Sequence, residues 1–212
     1  GHGCLARRCR ARHRHARHHC RARARTAQQH APDLAGRVAG LRGGNGCDNI
    51  LGSFNAAGFD VLDGGDGDDS LSVFSRSAVV IGGGGADVIQ LQGASTSLSL
   101  DGGEGNDLLA VSAGTVGDYS LRALGGGVVV SGPGLNTQVA TGFEAVHLAL
   151  GVNDPASTLT VGDLSGTTVT EVALNTILTN FNIGSASFNF DGTLIVEGSC
   201  NADTIEVSDA PA

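Results

Sequence analysis

Four glycine-aspartate nonapeptides between residues 43 and 110 have the residue types and spacing to hold a cation. They read Gly43-Gly-Asn-Gly-Cys-Asp48-Asn-Ile-Leu51, Gly64-Gly-Asp-Gly-Asp-Asp69-Ser-Leu-Ser72, Gly82-Gly-Gly-Gly-Ala-Asp87-Val-Ile-Gln90 and Gly102-Gly-Glu-Gly-Asn-Asp107-Leu-Leu-Ala110. All follow the pattern GGxGxDxUx, with U a large aliphatic residue. Glycine lets the backbone turn through dihedrals that a Cβ forbids, and it exposes bare carbonyls. Aspartate adds a hard, charged oxygen. A calcium ion takes about six to eight oxygen ligands in a tolerant geometry, so such turns suit it. The candidate ligands are Gly43, Gly44, Gly46 and Asp48, then Gly64, Gly65, Gly67 and Asp69, then Gly82, Gly83, Gly85 and Asp87, then Gly102, Gly103, Gly105 and Asp107.

Positioning these turns requires a regular framework, and the spacing supplies one. The first glycines are separated by 21, 18 and 20 residues, with small insertions expected at Gly52 to Phe54 and at Leu100 and Asp101. Between the motifs lie further nonapeptides. Asn55 to Asp63, NAAGFDVLD, keeps Gly58, Asp60 and Leu62 in register, which adds Gly58 and Asp60 to the candidate ligands. Val73 to Ile81 and Leu91 to Ser99 have lost the glycines and the aspartate but keep an aliphatic eighth position. The inward series then reads Ile50, Leu62, Leu71, Val80, Ile89, Leu98 and Leu109. Clustered Gly and Asp also mark plain turns, but a shared aliphatic register across seven units favours repeated structure. An EF-hand is excluded, because the twelfth position counted from Asp63 is Phe74 and from Asp66 is Ser77, where that loop requires glutamate.

The motif resembles the RTX (hemolysin-type) calcium-binding repeat. That resemblance implies an all-β fold, a parallel β-roll or β-solenoid with two nonapeptides per turn. Asp48, Asp69, Asp87 and Asp107 would then stack in a column along one side, with about three Ca2+ ions between the four turns. The other side would be a mostly plain edge. Family members often use type I secretion, whose uncleaved C-terminal signal is not identifiable here, and the simplest expectation is an internal piece of a longer protein.

Composition agrees with a thin-cored fold. The 212 residues include 34 Gly, seven Phe, one Tyr and no Trp, too few aromatics for an aromatic-rich globular core. The net charge of -8 conceals two opposed segments. Residues 1–42 carry 11 Arg and one acid, whereas residues 43–212 carry two Arg and 20 acids. The acidic part should repel itself without a cation, so folding is expected to couple to calcium. Extracellular calcium modules work at about 0.1 to 1 mM, above cytosolic levels, so the expected location is secreted, extracellular or cell-surface.

Residues 1–42 are expected to be a disordered Arg/His-rich tail. Gly1 to Arg25 has no apolar period and lacks the apolar stretch of a secretory signal. Its arginines could bind nucleic acid, and His13, His15, His18, His19 and Cys20 could bind zinc or nickel. The expectation adopted is a solvated tail or a stretch read from a wrongly assigned start, with no nucleic-acid partner; the absence of any Met fits this. The five cysteines, Cys4, Cys9, Cys20, Cys47 and Cys200, form no paired metal pattern, and their odd number argues against a complete disulfide framework. Cys47, at a variable motif position, is expected to have no role.

Residues 43–110 are thus the calcium-binding region, and 111–212 are expected to form a β-rich solenoid or sandwich-like spacer. Gly127 to Ser131, Ser157 to Val161, Thr168 to Val172 and Thr193 to Glu197 read as strands. A degenerate repeat at 198–206 keeps Asp203 and Ile205. No segment is long and apolar enough to span a membrane as a helix. HExxH and GxSxG are both missing, and His147, on a strand face near Glu144, reads as a surface residue, so no catalysis is expected. The resulting expectation is a secreted calcium-binding scaffold or spacer. The alternative is the noncatalytic repeat region of a larger secreted hydrolase, toxin or adhesin.

Overall fold

The computed structural model describes residues 28–30, 38–54, 58–92, 95–113, 115, 117–150, 159–175 and 193–197. The strands, in chain order, are β1 (Gln28–His30), β2 (Val38–Asn45), β3 (Asn49–Leu51), β4 (Phe59–Asp66), β5 (Ser70–Val73), β6 (Ser77–Gly84), β7 (Val88–Gln92) and β8 (Ser95–Glu104). They continue as β9 (Leu108–Ala113), β10 (Tyr119–Leu124), β11 (Gly127–Gly132), β12 (Leu135–Thr141), β13 (Ala145–Leu150), β14 (Leu159–Val161), β15 (Glu171–Asn175) and β16 (Thr193–Glu197). The described residues contain no helix, and so none that could cross a membrane.

The strands form two eight-stranded sheets. The first has the order β1-β3-β5-β7-β9-β13-β15-β16 and the second β14-β10-β11-β12-β8-β6-β4-β2. From β2 to β9 the chain alternates between them, and each strand pairs in parallel with the strand two places later. Alternation along each strand explains the packing, since successive side chains point to opposite faces. Ile50, Leu71, Ile89, Leu109, Val146 and Val172 lie abreast in the first sheet, all fully buried. Burying each such side chain contributes roughly 1.5–3 kcal/mol. Leu62, Val80 and Leu100 lie abreast in the second sheet, and both rows belong to one core.

Every member of the expected inward series is fully buried, but the register of its sixth member differs. Leu98 pairs with Ala78, and Leu100 is the residue beside Val80. The two extra residues of that turn therefore fall between Leu91 and Ser97, instead of at Leu100 and Asp101. Because a strand's side chains alternate with a period of two, a two-residue insertion keeps every inward position inward.

Two other expectations need correction. The end of the Arg-rich segment is ordered: β2 begins at Val38 and pairs with β4, setting Leu41 beside Leu62 and Arg42 beside Asp63. The Arg42 guanidinium donates to the Asp63 carboxylate, with Nε 2.8 Å from Oδ2. Residues 1–27, with the histidines and Cys20 that could bind zinc or nickel, lie outside the described residues, as does the degenerate repeat at 198–206. Residue 110 is also no boundary. Strand β9 runs through it, and the first sheet continues in parallel through β13, β15 and β16.

The second sheet changes character there. Strands β10, β11 and β12 form an antiparallel meander joined by Gly125-Gly126 and Pro133-Gly134, before β12 resumes parallel pairing with β8. Gly125, Gly126 and Gly134 all have φ between 59° and 84°, the conformation such two-residue turns demand. The expected strand Thr168 to Val172 begins only at Glu171, because the Thr168 and Thr170 hydroxyls are turned to the carbonyls of Phe143 (2.7 Å) and Glu144 (3.3 Å).

Candidate metal centre

The four motifs occupy equivalent places, the connections from β2 to β3, β4 to β5, β6 to β7 and β8 to β9. Their glycines are required for two different reasons. The second and fourth of each motif, such as Gly65 and Gly67 or Gly83 and Gly85, have φ between 102° and 141°, where side chains are strained. The first of each motif faces a crowded point. A Cβ on Gly64 would strike both the carbonyl oxygen of Gly82 and Oδ2 of Asp69. The same collision recurs at Gly43 with Gly64 and Asp48, and at Gly82 with Gly102 and Asp87. In each loop, therefore, the motif's own carboxylate and the next loop's first carbonyl converge on a bare Cα.

The aspartates form the expected column, and all four are buried, at 4%, 2%, 1% and 1% exposure for Asp48, Asp69, Asp87 and Asp107. A hydrogen-bond ladder runs through them. The Asp48 N–H donates to Oδ1 of Asp69 at 2.7 Å, the Asp69 N–H to Oδ1 of Asp87 at 2.7 Å, and the Asp87 N–H to Oδ1 of Asp107 at 2.8 Å. The Asp107 N–H continues the series to Oε2 of Glu144, also at 2.8 Å.

This ladder satisfies Oδ1 of Asp69, Asp87 and Asp107 and leaves the other oxygen of each. Oδ2 of Asp69, Asp87 and Asp107 is buried with no hydrogen-bond partner. Burying an ionised group without full compensation is costly, and the protonation equilibria reflect that cost. Desolvation by burial raises the Asp69 pKa from 3.8 to about 6 and that of Asp87 to about 7, against the lowering effect of the ladder hydrogen bonds. Neighbouring acids push both further upward. Asp107 shifts in the same direction for the same first reason, with Glu144 and Asp101 adding repulsion.

A divalent cation fits these residues by two independent criteria. Buried carboxylate oxygens lack partners, and each converges with the next loop's carbonyl oxygen on one glycine Cα, so two hard oxygens from adjacent loops lie close together. Among the described residues no three His, Cys, Asp or Glu side chains gather into a metal-binding group. A cation in the column would thus draw most of its oxygens from the backbone, as the glycine content implies.

Gly58 and Asp60 are not brought to this column. Gly58 directly precedes β4 and Asp60 is the second residue of that strand, where the chain enters the second sheet, and so both lie on the opposite edge. Asp60 is fully buried; its Oδ2 accepts the Ser53 N–H at 2.9 Å and the Ser53 hydroxyl at 3.2 Å, while its Oδ1 has no partner. The return turns also stack Phe54 on Phe74, with ring centroids 4.2 Å apart.

Three features escaped the motif. Glu144 joins the carboxylate ladder although it lies in no nonapeptide; its only sequence signal is its place two residues before the inward Val146, matching Asp107 before Leu109. His147 pairs with Glu171 at 2.9 Å, not with Glu144. Cys47, expected to be idle, is disulfide-bonded. In comparisons with known proteins, no family model, no curated protein and no solved structure matches this chain.

Proposed function

We propose that this chain is a secreted calcium-binding repeat module of β-roll type, ordered by extracellular calcium and serving as a scaffold or spacer. One observation carries the reading: in successive loops, a buried carboxylate oxygen without a partner sits beside a glycine Cα and the next loop's carbonyl. Such an arrangement is unfavourable when empty and well matched to a hard cation that prefers oxygen. The alternation of parallel strands between two sheets supports the β-roll description, because it places one glycine loop directly above another.

The chain's own residues divide the work. Asp48, Asp69, Asp87 and Asp107 supply charge, and the motif glycines supply close approach and carbonyls. A bound ion would neutralise the column and link adjacent loops, so binding and ordering would be one event. The disulfide at Cys47 suits an oxidising compartment.

Isothermal titration with calcium at pH 8, followed by far-ultraviolet circular dichroism in calcium and then in chelator, tests the proposal. The expected result is about three ions in the gaps between the four motif loops, with β signal weakened on chelation and restored on adding calcium back. A chain that binds no calcium would overturn the function. A spectrum indifferent to chelation would overturn the coupled ordering.

A further inference from the structure

The carboxylate column does not stop at the fourth motif. Strand β13 pairs with β9 so that Ala145 lies beside Leu108 and Val146 beside Leu109, which sets Glu144 at the level of Asp107. Strand β12 pairs with β8 so that Thr141 lies beside Asp101, which sets Gly142 at the level of Gly102. The short connection Gly142-Phe143-Glu144 thus stands where a fifth nonapeptide loop would.

It also repeats the local chemistry. A Cβ on Gly102 would strike the Gly142 carbonyl oxygen, as one on Gly82 would strike that of Gly102. The same Cβ would lie 2.9 Å from Oδ2 of Asp107, which is buried and without a partner in a residue only 1% exposed. The Glu144 carboxylate accepts the Asp107 N–H in the way each motif aspartate accepts the one before it. Four residues separate Gly102 from Asp107, whereas Phe143 alone separates Gly142 from Glu144. The extra methylene of glutamate spans part of the shortened loop, and the Phe143 ring is fully buried.

One level further, the series ends. Val172 lies beside Val146, so Thr170 takes the acid's place. Its N–H donates to the Glu144 carbonyl at 2.8 Å, and its neutral hydroxyl turns to the same oxygen.

We propose that Asp107 and Glu144, with the carbonyl of Gly142, hold a further calcium ion between the last glycine loop and the Gly142–Glu144 connection. The inference rests on calcium binding by the column. It makes Glu144 a ligand that the nonapeptide pattern does not contain, and five stacked carboxylates enclose four gaps instead of three. Because the outer residues of a full loop are missing above it, this ion should be the weakest bound of the set.

Native mass spectrometry of the full chain at saturating calcium tests it, comparing the wild type with Glu144→Gln and with Asp163→Asn, a carboxylate outside the column. The expected result is one ion fewer in E144Q than in the other two, with all three giving the same circular dichroism in calcium. Equal counts in wild type and E144Q would overturn this inference and leave the sites between the motif loops intact. No ion in any chain would overturn both. If E144Q does not fold, Glu144→Asp keeps the charge and shortens the reach; the weakest step of its calcium titration should fall by about tenfold, and an unchanged titration would overturn the assignment.

Discussion

The chain crosses between its two sheets at two edges, and the edges differ in how much charge they bury. On one, each glycine loop buries a carboxylate whose second oxygen has no partner in Asp69, Asp87 or Asp107. On the other, among the described residues, Asp60 is the single buried carboxylate: its Oδ2 accepts from the backbone and hydroxyl of Ser53, its Oδ1 has no partner, and neighbouring turns are joined by the Phe54–Phe74 stack. The first edge instead repeats the unpartnered oxygen from loop to loop, beside the next loop's carbonyl. Stability at the first edge should therefore depend on ions and protons far more than at the second.

The largest effect should come from removing one charge in mid-column. Asp87 accepts from Asp69 and donates to Asp107, and Asp87→Asn retains an oxygen for the first bond and the N–H for the second. Without calcium at pH 8 the variant should melt higher than the wild type, because a buried, poorly compensated charge has been removed. With calcium the order should reverse, since the gaps on both sides of Asp87 lose a charged ligand, each by on the order of tenfold in affinity or about 1.4 kcal/mol. Melting curves in calcium and in chelator show whether the order reverses. A variant less stable under both conditions would reduce the column to a structural ladder.

Protons should substitute in part for the missing ion. Asp69 and Asp87 carry folded-state pKa values of about 6 and about 7, above the ordinary 3.8. Between those values the folded chain keeps protons that the unfolded chain has released. Their contribution to stability is therefore full below pH 3.8 and is lost as pH rises through about 6 to 7. Chelated protein should unfold more easily at pH 8 than at pH 4.5, in a denaturant titration at each pH. Calcium-loaded protein should lose its ions over the same window as pH falls, because protons and cations compete for the same oxygens. A chelated chain most stable at pH 8 would contradict the burial of these carboxylates in their charged form.

Sequence alone made one edge more legible than the other. The glycines and aspartates of the first edge are each required by a backbone angle, a close approach or a buried charge, so their spacing translates directly into the column. The ladder could not be followed to Glu144, because the loop above Asp107 is three residues shorter and its acid has changed type. Asp60 reads as a ligand because it sits at the motif's sixth position, and the structure adds that Ser53 meets one of its two carboxylate oxygens. The β character of residues 119–141 was visible in Gly127 to Ser131, but not its pairing. Antiparallel order there is set by the Gly-Gly and Pro-Gly turns, whereas the parallel order before it is set by a repeat that has ended by Val111.

The return edge offers the smallest effect and the control for the others. Phe54 is 55% exposed and meets Phe74 in a tilted stack, so Phe54→Ala removes an aromatic pair worth about 0.5–1.5 kcal/mol. Neither ring touches a carboxylate of the column, and the two edges are separated by the full length of a strand. The loss in unfolding free energy should therefore be the same with calcium as with chelator at pH 4.5, a condition in which Asp69 and Asp87 are largely protonated and the fold should be retained. A loss that appeared only with calcium would mean that ions tighten the whole turn, return edge included. The two edges would then be one cooperative unit, and the difference in ion dependence between them would fail.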